Sequence, residues 1–178
     1  MIPEARLDRT EHGLVAQGDG WFVLNARDGR WFDRGPRGRL CLFEGETEFP
    51  QVGVNLFVLE PGQPMSMYHW EADQEGFLVL SGEALLVVEG EERPLRQWDY
   101  VHCPPRVRHT ILGAGEGPAA ILAVGARIDS TGESWGGYPL DETASRHGAA
   151  AERETTDPRE AYARFPDREP TRYGGWLG

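Results

Sequence analysis

The sequence of 178 residues contains no lysine, because all 18 of its basic residues are arginine. This absence excludes Schiff-base catalysis, the lysine of a phosphate-binding P-loop and the lysine base of serine–lysine hydrolases, since each needs a primary amine. The two cysteines, Cys41 and Cys103, lie far apart and lack the spacing of a zinc or redox motif. We therefore expect free thiols in a reducing cytoplasm.

Long hydrophobic runs and basic surfaces are also scarce. No apolar run approaches the roughly 18 residues that span a bilayer, and the first residues carry no apolar signal segment. The net charge is −11, and most of the excess acid falls between residues 40 and 127. Such a charge repels phosphodiester backbones. We expect a cytoplasmic chain that binds neither nucleic acid nor a membrane.

Glycine and proline are abundant, with 23 and 13 copies, and they separate short runs of β-forming residues. The dipeptide Asp28-Gly29 suits a type I′ turn between two such runs. Short strands with turns between them and no helical period favour an antiparallel sandwich or a small barrel. The predicted strands are residues 21–24, 30–32, 40–43, 52–59, 64–71, 77–80, 84–88, 100–103, 109–112 and 119–125.

The composition changes after Ala126, with fewer β-branched residues and more Ala, Glu and Arg. The run from Thr156 to Glu160 combines capping residues with a proline in the first turn, so it predicts a helix that ends before Pro166. A weaker helix is predicted over residues 141–147. The apolar residues near the C-terminus (Tyr173, Trp176 and Leu177) predict that the tail packs against the rest of the chain or a neighbouring subunit.

Two histidines and two glutamates form the one constellation with evident chemistry. His69 and Glu71 alternate along a predicted strand and share a face, Glu75 lies across the next bend, and His109 begins a later strand. Two imidazoles and two carboxylates suit a divalent cation. The alternative is a simple surface ion pair, because a His-x-Glu pair on a strand is common. His102 and Cys103 are interpreted as a buried structural pair, in preference to a catalytic Cys–His dyad, because adjacent strand residues point to opposite faces.

The spacing of these residues resembles the two motifs of the cupin family. The first motif is matched by Gly62, His69-x-Glu71, Glu75 after three residues and Gly82 after six more. The second is matched by Pro104, by His109 and by the intervals between the positions. The sequence departs from the family pattern in five places: Gly62 comes early, Glu71 replaces a histidine, Trp98 and Arg106 replace glycines, and Gly113 replaces an asparagine.

The resemblance implies an all-β fold, an antiparallel double-stranded β-helix (the cupin or jelly-roll barrel), with a short, partly helical C-terminal extension. It implies a barrel over residues 40–127, N-terminal strands over 1–39 that pack on the barrel or swap between barrels, and the extension over 128–178. Position by position, it makes the metal ligands His69, Glu71, Glu75 and His109. The second carboxylate shifts the preference toward Mn²⁺ or Fe²⁺, with Zn²⁺ and Ni²⁺ as alternatives.

Function follows less directly, because many reactions use this barrel. The first hypothesis is a metal-dependent enzyme, dioxygenase-like or isomerase-like, that acts on a small oxygenated molecule; no catalytic residue is assigned. The second is a non-catalytic cupin that binds a small molecule or a metal. A third is a scaffold or storage protein with a vestigial ligand set. Small barrels often pair through edge strands, so we also expect a homodimer.

Overall fold

The computed structural model describes residues 1–129 and 135–177, so residues 130–134 and 178 of the predicted extension lie outside the description. The strands are β1 (Arg6–Thr10), β2 (Gly13–Gln17), β3 (Trp31–Asp33), β4 (Arg39–Leu42), β5 (Val52–Leu59), β6 (Trp70–Glu71), β7 (Glu75–Ser81), β8 (Glu83–Val88), β9 (Glu91–Arg96), β10 (Tyr100–Cys103), β11 (His109–Ala114), β12 (Ala119–Ala126), β13 (Gly136–Gly137) and β14 (Glu169–Thr171). The helices are α1 (Glu142–Arg146), α2 (Pro158–Ala161) and a 3-10 turn at Gly35–Arg37. No described helix is long and apolar enough to cross a membrane.

The fold is built from two facing antiparallel sheets, which confirms the predicted all-β class. The larger sheet has seven strands in the order β10-β7-β12-β5-β4-β3-β14, and the smaller has the order β11-β8-β9. Strands β5 and β12 pair along their whole length at the centre of the larger sheet. The main core lies between the sheets, where Phe57, Phe77 and Ile121 meet Leu86 and Ile111.

The predicted barrel is not closed by continuous strand pairing in the described residues. Residues 61–69 meet β11 only through single bridges, at Pro61–Gly113, Pro64–Leu112 and His69–His109. Proline has no N–H to donate to a strand ladder, so two prolines in this segment prevent regular pairing. The strand predicted over residues 64–71 is therefore reduced to β6 and the bridges at Pro64 and His69.

The predicted hairpin around Asp28-Gly29 is wrong. Residues 22–24 lie outside any strand, and β3 pairs instead with β4 and β14. The Asn25 carbonyl accepts from the N–H groups of Asp28 and Gly29, and the Asn25 side chain accepts from the N–H of Arg27. This side-chain turn satisfies the backbone locally, so the dipeptide does not become the tip of a hairpin.

The C-terminal extension folds back onto the sheets. Asp157 caps α2 by accepting from the N–H of Arg159, but the helix is only four residues long, shorter than predicted. Strand β14 completes the larger sheet beside β3. Beyond it, the rings of Tyr173 and Trp176 pack against the buried ring of Trp31, with centroids 6.1 and 5.4 Å away. The C-terminal extension is thus attached to the larger sheet at β3.

Two departures from the cupin motif occupy backbone conformations that favour glycine. Trp98 has φ 75° and Arg106 has φ 72°, in the left-handed region where a Cβ is strained. The family pattern has glycine at both positions. The backbone has therefore kept the conformation of the motif although the residue type has changed, which supports the alignment of this segment.

We predict that Trp98→Gly stabilises the protein by about 0.5–1 kcal/mol. The Trp98 side chain is 67% exposed, so few contacts are lost while the left-handed strain is relieved. Urea denaturation measures the change. Trp21→Gly is the matched control, because Trp21 is also exposed but has no positive φ, and it should lower stability. A Trp98→Gly variant that unfolds at lower urea than the parent would contradict the strain argument.

Candidate metal centre

Two histidines meet where the segment before β6 crosses the start of β11. The backbones of His69 and His109 exchange two hydrogen bonds, of 3.1 and 2.8 Å. Residues paired in this way point their side chains to the same face, and the two ring centroids lie 4.9 Å apart. Both residues are buried. The bridge between His69 and His109 thus places two imidazoles side by side.

Backbone carbonyls fix the orientation of both imidazoles. The Nδ1 of His69 lies 2.9 Å from the carbonyl oxygen of Met67, and the Nδ1 of His109 lies 3.0 Å from that of Val107. A carbonyl oxygen only accepts, so each Nδ1 carries the donated hydrogen. Each neutral ring therefore presents the lone pair of Nε2, the tautomer that a metal-binding histidine requires.

Glu75 brings a carboxylate to both Nε2 atoms. It begins β7, opposite Cys103 of β10. Its Oε2 lies 3.2 Å from Nε2 of His109 and 3.9 Å from Nε2 of His69. One ligand atom from each of these three residues lies within 4.8 Å of the other two, so His69, Glu75 and His109 form a cluster that can hold a metal ion.

The buried Nε2 of His109 shows whether the cluster suits a metal ion. It has no hydrogen-bond partner among the described residues, although Glu75 Oε2 is only 3.2 Å away, because the contact is badly aligned for a hydrogen bond. A buried polar nitrogen without a partner is costly. Nitrogen and oxygen atoms that approach without bonding each other suit coordination of a shared cation. The donor set of two imidazoles and a carboxylate fits a divalent transition metal.

Without a metal ion, the protonation of Glu75 and that of His109 depend strongly on each other. Burial raises the pKa of Glu75 and lowers that of His109, but their neighbours outweigh it. The two imidazoles lower the pKa of Glu75, and Cys103, followed by Glu75, raises that of His109. The site therefore favours a carboxylate beside a protonated imidazole. A metal ion would take the place of that proton, since a ligating histidine must be neutral.

Glu71, the fourth predicted ligand, stands at the edge of the cluster. Its Oε1 lies 3.6 Å from Nε2 of His69, and its side chain is more exposed than that of Glu75. It is not within the mutual 4.8 Å of the other three residues. The structure thus brings His69, Glu75 and His109 together and leaves Glu71 beside one of them, at the wall of the adjoining cavity.

A cavity of about 390 Å³ opens above the cluster. Its apolar wall includes Phe57 and Phe77, and its polar wall is built largely by side chains from outside the motif segment. The residues that line it are Arg34, Leu40, Gly53, Asn55, Phe57, Met65, Ser66, His69, Glu71, Glu75, Phe77, Ala123, Gly125, Ala126, Arg127, Trp135, Tyr138 and Tyr162. This volume is at the small end of the range for ligand pockets.

Three polar residues of this wall were missed by sequence reasoning. Arg34 follows β3, Asn55 lies in the middle of β5, and Tyr138 lies just after β13. The ring of Tyr138 stacks on that of His69 with centroids 5.9 Å apart, and burial raises the pKa of Tyr138, so its phenol is neutral at pH 7. No motif marks these positions, because they come from three distant segments that only the folded sheets bring together.

The comparisons with known proteins point to one family. Residues 55–125 match the family model described as the cupin domain. No curated protein matches the chain. A solved structure from Acidithiobacillus ferrooxidans is 31% identical over 44% of this chain and 52% of its own, with a TM-score of 0.42.

Two further structures are similar over a larger part of the chain. A sugar phosphate isomerase from a cupin superfamily, from Silicibacter pomeroyi, is 29% identical over 58% of this chain and 62% of its own, with a TM-score of 0.47. KdgF from Halomonas sp. is 19% identical over 56% of this chain and 89% of its own, with a TM-score of 0.46. The chain thus spans between half and two thirds of the length of the first two structures.

The family match covers the strands that carry the cluster, from Asn55 in β5 to Gly125 in β12, and includes both histidines and both glutamates. The motif spacing and the two-sheet architecture agree with it. Residues 55–125 of this protein therefore match the cupin domain, and the match includes all four predicted ligands.

Proposed function

We propose that this cupin is a metal-dependent enzyme that acts on a small oxygenated molecule. The observation that carries the proposal is the cluster of His69, Glu75 and His109, which faces a cavity with polar groups that are not ligands. Glu71 completes the proposed ligand set. Two carboxylates and two neutral imidazoles leave a bound divalent ion close to charge balance, which suits Mn²⁺ or Fe²⁺, with Zn²⁺ and Ni²⁺ as alternatives.

The presence of an ionisable group beside the cluster supports an enzyme over a simple binding protein. A binder needs only shape and neutral polar contacts, whereas catalysis needs a group that can give or take a proton within reach of the ligand. Tyr138 places a hydroxyl in this position, since its ring stacks on His69 and lines the cavity. Burial raises its pKa and keeps the hydroxyl protonated, so it can donate a hydrogen bond to a ligand oxygen. Lysine is absent, so proton transfer would fall to tyrosine, glutamate or water.

The residues of the cavity have distinct proposed roles. A bound divalent ion supplies Lewis-acid polarisation of a carbonyl or hydroxyl oxygen. Tyr138 holds a proton at its hydroxyl, and the Phe57 and Phe77 rings keep water from one side of the ligand. The polar groups that line the cavity beside these rings favour proton transfer within a polar substrate, as in an isomerase, over oxygenation in an apolar pocket. We therefore propose an isomerase-like reaction.

Metal uptake tests the proposal. Protein purified without added metal, stripped with a chelator and then titrated with Mn²⁺ or Zn²⁺, should bind one ion per chain, as measured by calorimetry and elemental analysis. Glu75→Gln should weaken that binding by at least about tenfold, and Glu71→Gln should weaken it less, because only Glu75 approaches both histidines. A stripped protein that takes up no ion would refute the proposed metal-dependent function.

A further inference from the structure

A buried guanidinium without a carboxylate partner stands in the wall of the same cavity. Arg34 is only 5% exposed. Its Nη1 donates to the carbonyl of Met65 at 2.9 Å, its Nη2 donates to the carbonyl of Arg37, and its charged carbon lies 4.8 Å from the centre of the Phe57 ring. None of the arginine ion pairs in the described ranges, 1–129 and 135–177, involves Arg34.

The contacts of Arg34 do not neutralise its charge, and most of its N–H donors have no acceptor. A guanidinium has five N–H donors, and the two carbonyls take one each. The buried Nε has no partner among the described residues. Burial, followed by the nearby charge of Arg37, lowers the pKa of Arg34 to about 9, which still leaves it charged at pH 7. Burying an unpaired charge is expensive, so a position of this kind calls for a compensating anion.

The other arginine that lines the cavity has its charge balanced by a carboxylate. Arg127 is paired with Glu44, with its Nη2 at 3.0 Å from Oε2, and it also donates to the carbonyl of Phe49. Its charge is therefore balanced within the protein. Arg34 lines the same space without such a carboxylate. The difference indicates that the anion for Arg34 comes from a ligand.

A second unpaired atom in the cavity wall adds to the pattern. The side-chain oxygen of Asn55 is buried, has no hydrogen-bond partner among the described residues and belongs to a residue that lines the cavity. A ligand hydroxyl could donate to it. The cavity therefore offers an unpaired cationic donor, an unpaired acceptor and, at another part of its wall, the His–Glu–His cluster. These features describe a ligand with an anionic group and further oxygen atoms.

We propose that Arg34 and Asn55 form a subsite for a small hydroxy- or oxo-carboxylic acid, in which the Arg34 guanidinium donates to the carboxylate and the Asn55 side-chain oxygen accepts from a ligand hydroxyl. The subsite deepens the proposed function, on which its link to the metal rests, by naming the substrate class. A carboxylate matches a single guanidinium in charge and in planar shape. A phosphate dianion would leave an uncompensated negative charge in the same buried wall. Arg34 lies outside the matched domain, so the N-terminal segment would supply specificity.

Lactate and pyruvate are suitable probes, and lactamide is the neutral counterpart of lactate. In nitrogen-15 spectra of the full chain, we expect lactate or pyruvate to shift the Nε–H resonance of Arg34, which is identified by its absence in Arg34→Lys. Lactamide at equal concentration should leave that resonance in place. Arg34→Gln should weaken binding of the carboxylate at least tenfold, because a charge-assisted contact is lost.

Arg30→Gln is the matched control. Arg30 also has a buried, unpaired Nε and stacks on a phenylalanine, Phe32, at 5.2 Å, but it does not line the cavity. This variant should bind within twofold of the parent. If Arg34→Gln does not fold, the parent protein still decides the matter through the lactate–lactamide comparison. Equal binding of the two, no shift with either acid, or tighter binding of inorganic phosphate would overturn the proposal.

The experiments can refute the anion subsite and the metal function independently of each other. The titrations are run on chelator-treated protein and on protein loaded with Zn²⁺, which does not broaden the spectra. Carboxylate binding that depends on Arg34 in protein that takes up no zinc would support the subsite and refute the metal function. Zinc uptake that depends on Glu75, with no preference for a carboxylate, would support the metal function and refute the subsite.

Discussion

Replacing His109 with alanine should weaken binding of Mn²⁺ or Zn²⁺ at least about a hundredfold. The imidazole is 1% exposed, its Nδ1 is held by the Val107 carbonyl, and its Nε2 is aimed at Glu75 without a bond. No other described side chain joins His69 and Glu75 as a third ligand. Without His109 an ion would keep the imidazole of one neighbouring strand and the carboxylates. Calorimetric titration of the metal-stripped variant gives the affinity.

His102→Ala is the control for that experiment. His102 lies on β10, next to Cys103, but its side chain is exposed and outside the cluster. It should bind metal as the parent does and show the same circular dichroism spectrum. Equal affinities for the His109→Ala variant and the parent, both folded, would place the metal elsewhere and remove His109 from the ligand set.

Two predicted strands have the observed bounds, one inside the larger sheet and one at its edge. The prediction for residues 52–59 coincides with β5, and that for residues 100–103 with β10. Strand β9 was missed because it reads as a charged loop: Glu91–Arg96 contains Pro94 and four charged residues. It is the edge of the smaller sheet, where proline and charge are tolerated because one side of the strand needs no partner.

The candidate site, too, was only partly predictable from the sequence. His69, Glu75 and His109 could be singled out because motif spacing records which strands cross, and the structure brings the three together. Arg34 and Tyr138 could not be found, because their role depends on packing between segments far apart in the chain. The isolated arginine cluster between residues 27 and 39 looks like a solvated loop in sequence. Only the burial of Arg34 without an acid distinguishes it from its neighbours.

Replacing Trp31 with alanine should lower the free energy of unfolding by about 3–5 kcal/mol, the range for a large buried aromatic residue. The Trp31 side chain is fully buried, and its Nε1 donates to the carbonyl of Ala26 at 2.8 Å. Its ring contacts the rings of Tyr173 and Trp176 from the C-terminal tail. The substitution therefore removes a packing centre that joins the C-terminal tail to the larger sheet. Urea denaturation, followed by circular dichroism, measures the loss.

The position of Trp31 makes this a test of the architecture as well as of packing. It lies in β3, whose partners are β4 on one side and β14 of the extension on the other. Trp21→Ala is the matched control: Trp21 is 55% exposed and should change stability by less than about 0.5 kcal/mol. If the tail packs as described, Trp31→Ala should also increase the exposure of the half-buried Trp176 and shift its fluorescence to longer wavelength, while Trp21→Ala leaves that exposure unchanged. Equal stabilities of the two variants would show that the tail is not anchored at β3, because a detached tail would leave Trp31 partly exposed in the parent.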